Sequence, residues 1–154
     1  MLATISSATV LGVEGRPVTV EVHVASGLPG FTIVGLPDTA CREARDRVRA
    51  ALQCTGLPWP NRRITAHLAP AGLRKVGSGP HLAIAVALLV AQEEVEPAAV
   101  AGVGFLGELG LDGSLRPVPG MVSLSEALDG EVAVVPVAAA GGGRPGAPHA
   151  VGPA

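Results

Sequence analysis

Tyrosine is absent from these 154 residues, tryptophan occurs once and phenylalanine twice. A core without aromatic bulk has to be built from Ala, Val, Leu and Ile, and the chain offers little ring surface for stacking on bases. Lysine occurs once, as Lys75. That removes the nucleotide P-loop, in which a glycine-rich turn is followed by lysine and a hydroxyl residue. Here Lys75 precedes Gly77 and Gly79 and stands on the wrong side of the turn. The two cysteines, Cys41 and Cys54, fall on what periodicity reads as one helix. At 1.5 Å per residue they lie roughly 20 Å apart, beyond disulfide reach, and read as free thiols in a reducing compartment. The longest apolar run, Leu82 to Ala91, is about half a membrane span, and no basic-then-apolar leader opens the chain. A cytoplasmic protein without a membrane partner is expected. His23, His67, His81 and His149 are scattered, none beside Cys, Asp or Glu at a ligand spacing, so no metal site is expected.

What is present is aliphatic. Hydrophobic residues make up 48% of the chain, enough for one domain to bury a core without staples. Residues 2–11 fit a strand. Val18, Val20, Val22 and Val24 alternate with polar residues, the period of a strand with one buried face. Gly15-Arg16-Pro17 reads as the break between the two, and antiparallel pairing follows. After a turn at 26–30 comes a short strand, 31–35. Asp38 then reads as the N-cap of a helix carrying Cys41, Ala44, Val48, Ala51 and Leu52 on one face, closed by Gly56. Residues 63–70 make another strand. Gly79-Pro80 opens a second helix to about Gln92, with Ser78 or Gly79 as its cap. Asp112-Gly113 marks a hairpin within 103–118, a third helix runs from Met121 to Leu128, and 131–137 is a last strand. The expected fold is α+β, a mixed sheet with helices packed against it, over residues 1–136. Residues 137–154, rich in Ala, Gly and Pro, read as a disordered tail.

Two local features carry candidate chemistry. The stretch "LRKVGSGPHLAIAVALLVA" joins lysine, a Gly-Ser-Gly-Pro turn and a buried helix. Its helix start presents backbone N–H groups that can hold an anion, although every helix start does so. The second feature is basic. Arg42, Arg45 and Arg49 share one side of the first helix with Arg47 beside them, and Arg62, Arg63, Arg74 and Lys75 flank the next strand. Because the net charge is −2, a polyanion would have to be met by this local cluster. Glu43 and Asp46 are interleaved and can neutralise part of it through i,i+3 and i,i+4 pairs.

Three blocks, "GLPGFTIVGLPDTACREARDRVRAAL", "NRRITAHLAPAGLRKVGSGPHLAIAVALL" and "GFLGELGLDGSLRPVPG", resemble the N-terminal domain of the ComM/YifB proteins, Mg-chelatase-like AAA+ ATPases. The likeness covers roughly residues 1–136. It implies the fold of the Lon proteolytic domain, a ribosomal-protein-like two-layer α/β sandwich, which works with a serine nucleophile and a lysine base. The protease pattern Lys-Asp-Gly-Pro-Ser-Ala-Gly, laid without gaps from Lys75, puts the nucleophile on Gly79. The pattern Pro-Val-Gly-Gly-Ile-Lys, laid on residues 117–122, puts the base on Val122. Neither residue can exchange a proton. Sliding the first pattern nominates Ser78, whose only possible lysine base is Lys75, and nothing in the sequence would bury that amine. The resemblance further implies an acidic residue at the start of the second helix, where this chain has His81.

A non-catalytic domain follows, without cofactor. The ATP and Mg of the family belong to an AAA+ motor module expected to be missing from this chain. The implied setting is a bacterial, cytoplasmic machine for DNA recombination and natural transformation. Its implied partners are DNA, the AAA+ module and further copies of the chain. The candidate contacts to DNA or a subunit are Arg42, Arg45, Arg49, Arg62, Arg63, Arg74 and Lys75. Two other readings remain beside this one, a free-standing nucleic-acid-binding module using the arginine cluster and a degenerate Lon-like serine peptidase.

Overall fold

The computed structural model describes residues 1–75, 77–137 and 149–151, the last three as backbone only. Strands β1 (Leu2–Leu11) and β2 (Glu14–Ala25) form a long antiparallel hairpin. It turns at Gly12-Val13 rather than at the Gly15-Arg16-Pro17 break, and those three residues lie inside β2. Pro17 is tolerated there because it faces Ala8 of β1 on one side, while pairing to the next strand on the other side begins only at Thr19. Gly15 has a different reason. A Cβ at this position would lie 2.1 Å from the Ser123 carbonyl oxygen, so only glycine lets the chain pass so close.

β3 (Gly30–Val34) and β4 (Arg63–Ala69) extend the sheet beside β2, and β5 (Val103–Phe105) and β8 (Val132–Val135) extend it in parallel beside β1. With β9 (His149–Val151) at the far edge, the order is β3-β4-β2-β1-β5-β8-β9. The hairpin read over 103–118 is thus divided. Its first residues join the main sheet as β5, and only β6 (Glu108–Leu109) and β7 (Leu115–Arg116) pair around Asp112-Gly113.

The outermost strand, β9 (His149–Val151), pairs in parallel with β8. These three residues and Val137 are the described part of the stretch expected as a tail over 137–154. The edge of β8 presents unpaired N–H and C=O groups, and an extended segment satisfies them. The rest of the expected tail, 138–148 and 152–154, lies outside the described residues.

One face of the sheet carries Ala3, Ile5, Val18, Val20, Val22, Val24, Ile33, Ile64, Ala66 and Leu68, all buried. Burying each Val or Ile contributes on the order of 1.5–3 kcal/mol. Against this face lie α1 (Asp38–Cys54) and α2 (His81–Ala91). α1 is amphipathic and buries Ala44, Val48, Ala51 and Leu52. It ends in a Schellman arrangement, with Gly56 N–H on the Gln53 carbonyl and Leu57 N–H on that of Leu52. α2 is apolar nearly all round and almost entirely buried.

Neither helix has the side-chain cap expected for it. Asp38 is the first helical residue, where its charge complements the dipole without capping, and Ser78 spends its hydroxyl elsewhere. A single-turn α3 (Pro97–Val100) precedes β5, and α4 (Met121–Ala127) follows β7. Along β1 the inward set changes from the buried Ala3 and Ile5 to the buried Ala8 and the half-buried Val10. There α4 packs on the opposite face and encloses a second small core with Leu106, Leu124 and Leu128.

Candidate functional site

The turn that feeds α2 gathers the first group of candidate residues. Lys75 is only 2% exposed. Its ammonium donates to the carbonyls of Pro70 and of Leu73, the latter at 2.8 Å, so the loop between β4 and α2 folds around its own lysine. Burial lowers the lysine pKa from its ordinary value. Nothing along the chain signals this burial, because the shielding comes from backbone carbonyls. It also withdraws Lys75 from the candidate contact surface. Ser78 turns the other way, its hydroxyl donating to the Glu108 carboxylate at 2.7 Å. Amine and hydroxyl are each committed to other partners.

The two positions that the protease patterns select are no closer to chemistry. Gly79 lines an apolar cleft of about 490 Å³, with Ala8, Val10, Val118, Gly120 and Leu124. A Cβ there would make only ordinary contacts, the nearest being the Ala8 carbonyl at 3.5 Å. The cleft has room for a side chain that the sequence does not supply. Val122 is 44% exposed and is not part of the cleft lining. Two of the N–H groups at the start of α2 are already bonded. His81 N–H bonds the Ser78 carbonyl and Leu82 N–H that of Gly107. The phosphates of a nucleotide fit no better, since the chain's one lysine is buried and already bonded.

His81 is buried, with its Nδ1 unpartnered. Desolvation and the nearby Arg47 guanidinium push its pKa down to about 4, opposed by Glu108 and Glu43. It is a neutral imidazole near neutral pH. This suits a helix N-terminus, where a cation would face the positive end of the dipole. His67 lies 3.8 Å from Glu21 on the open face of the sheet.

The arginines divide into two groups on either side of α1. Arg47 pairs with Glu43 at 2.9 Å, the i,i+4 bridge the spacing predicts, and reaches the Leu109 carbonyl at 3.1 Å. With Arg42 and Arg116 it lines a groove that also holds Glu43, Asp46 and Asp112, a balanced set of charges. Arg45 and Arg49 belong to the other side. Arg45 donates to the Phe31 carbonyl at 3.5 Å, and the Arg49 guanidinium lies 5.4 Å from the centre of the Trp59 ring. Phe31 meets the same ring at 5.4 Å and 56°.

The chain next to Trp59 continues into Arg62 and Arg63. The Arg62 carbonyl accepts from Gly30 N–H, and Arg63 pairs with Gly30 at the start of β4. Among the described residues Arg45, Arg49, Arg62 and Arg63 have no carboxylate partner. Arg74 is exposed on the loop before Lys75. Sequence reading passed over Phe31, Trp59, Glu108 and Arg116. The only trace of the aromatic pair was a solitary tryptophan between two prolines.

A family model described as subunit ChlI of Mg-chelatase matches residues 20–138, more than half of the chain. The chain belongs to the Mg-chelatase-like ComM/YifB family. It is 48% identical over 122 residues to the protein YifB of Salmonella typhimurium, covering 79% of this chain and 24% of that one. An uncharacterized protein of Mycobacterium tuberculosis is 46% identical over 131 residues, covering 84% and 26%. The competence protein ComM of Haemophilus influenzae is 43% identical over 121 residues, covering 79% and 24%. The chain therefore spans about a quarter of the length of these ComM/YifB relatives. Among the described residues no helix is long and apolar enough to cross a membrane, and no group of three or more His, Cys, Asp or Glu could hold a metal ion.

Proposed function

We propose that this chain is a non-catalytic contact domain of a ComM/YifB-type machine, Lon-like in fold, that engages the DNA backbone and neighbouring modules while ATP is hydrolysed elsewhere. The observation that carries the reading is the set of arginines left without carboxylates around β3 and β4, namely Arg49, Arg62 and Arg63 with the half-buried Arg45. A self-neutralised face would pair them as Arg47 is paired. The commitment of Ser78 and Lys75 to different partners, and Gly79 and Val122 in the reagent positions, support a scaffold without peptidase chemistry. The name of the Haemophilus relative supports a place in natural transformation.

The test is binding of labelled duplex and forked DNA by fluorescence anisotropy across a salt series. If Arg49, Arg62 and Arg63 neutralise phosphates, log K falls with log salt at a slope of about −3, from roughly 0.9 per contact. Replacing all three by Ala flattens that slope, whereas Arg42→Ala leaves it unchanged. No binding at low salt, or a slope near zero, overturns the reading.

A further inference from the structure

We infer that the hollow between β3 and the Trp59 loop is a stacking subsite for an unpaired base of single-stranded nucleic acid. The inference rests on the DNA-contact reading above and narrows it to one place. The scarcity of aromatic residues argues against base stacking when only composition is counted. Folding changes the count that matters, because two of the three aromatic side chains meet at this hollow. It measures about 320 Å³ and is lined by Pro29, Gly30, Phe31, Arg49, Trp59 and Asn61, among others.

Each of these has a use in holding a base. Phe31 and Trp59 are partly exposed and packed on the core below, so the ring surface is held in place rather than loose. Arg49 is exposed and lies against the Trp59 ring, and among the described residues it has no carboxylate partner. A base can take its place against the indole or stack on the guanidinium plane, and the freed charge then reaches the adjoining phosphate. Gly30 has open space where a Cβ would stand, which leaves its backbone approachable. The Asn61 amide offers both a donor and an acceptor to a base edge. Arg45, bonded to the Phe31 carbonyl, braces the strand from behind. A base held in a duplex is covered on both faces by its neighbours and cannot enter, so the subsite selects single strands.

Trp59 is the only tryptophan and there is no tyrosine, so the intrinsic fluorescence of the whole chain reports on this hollow. The experiment titrates the full chain at low salt with oligothymidine of roughly a dozen nucleotides and with a blunt duplex of equal length. Anisotropy of a labelled strand is followed in parallel. Single strands are expected to quench Trp59 in step with binding, and the duplex to bind without quenching. Trp59→Leu is expected to weaken single-strand binding roughly tenfold, from the usual worth of one stacked base, and to leave duplex binding unchanged. Trp59→Phe keeps a ring and retains most of the affinity, which guards against loss of fold as the cause. Single-strand binding without a change in Trp59 emission overturns the subsite and leaves the contact surface standing. Equal weakening of both DNA forms by Trp59→Leu, with Trp59→Phe as weak as Leu, has the same consequence. No binding of either form overturns both readings.

Discussion

Acidification should destabilise this domain through one side chain, His81. The unfolded imidazole titrates at its ordinary value of about 6.5, and burial lowers it in the folded chain to about 4. Between those values the unfolded state binds more protons than the folded state, so stability is complete above about pH 6.5 and falls as pH drops toward 4. Integrating between the two pKa values gives a loss of about 2.5 kcal/mol from about pH 7.5 to about pH 4.5. At 4% exposure little solvent remains to screen the effect. The groups around the ring act in both directions. Arg47 on α1 disfavours the imidazolium, while Glu108 on β6 and Glu43 on α1 favour it, and burial outweighs both.

The assay is urea denaturation followed by circular dichroism at several pH values, for the wild type and for His81→Leu. Leucine fills similar space and removes the unpartnered Nδ1, so at about pH 7.5 the two should be close in stability. At about pH 4.5 the variant should be the more stable by about 2–3 kcal/mol. Carboxylates that titrate in the same range affect both proteins and cancel in the difference. If the difference between wild type and variant does not change with pH, the imidazole is not buried as described and the reasoning fails.

Two further substitutions test the packing around the site. Gly15→Ala places a Cβ against the Ser123 carbonyl and should cost about 1–3 kcal/mol in urea denaturation; an unchanged midpoint would mean that α4 does not press on β2. Lys75→Met leaves the Pro70 and Leu73 carbonyls without their donor and should destabilise by about 1–3 kcal/mol. It should leave DNA affinity and its salt slope unaltered, and a shallower slope would return Lys75 to the contact surface.

The long elements were legible because burial writes a period into them. Valines alternating through β2 and the spaced apolar residues of α1 gave both their type and their inner face, and the run of α2 gave a helix without a wet side. Short elements carry no such record. Three residues at Val103–Phe105 cannot show a period, and they pair with β1 and β8, partners distant in sequence. The strong Asp112-Gly113 turn therefore drew them into one hairpin. The turn between β1 and β2 was misplaced for a related reason. Gly15 and Pro17 resemble breakers, but one is required by the approach of α4 and the other stands where β2 lacks its second neighbour.

The site was less legible than the fold, and Lys75 and Trp59 show why. Sequence ranks a lysine as exposed, the cheap solution for an ammonium, and a lone tryptophan between two prolines carries no period that would place its ring. Here the loop after β4 supplies carbonyls that stabilise a buried ammonium, and β3 supplies a ring and α1 a cation that hold the indole at the surface. Both outcomes depend on backbone placed by neighbouring strands, and no spacing along the chain encodes it. The same argument separates the arginines. They appear as one cluster in sequence, but α1 turns Arg42 and Arg47 toward acidic residues and Arg45 and Arg49 toward aromatic ones. Whatever contact this domain makes should be lopsided about that helix, strong on the aromatic side and nearly neutral on the other.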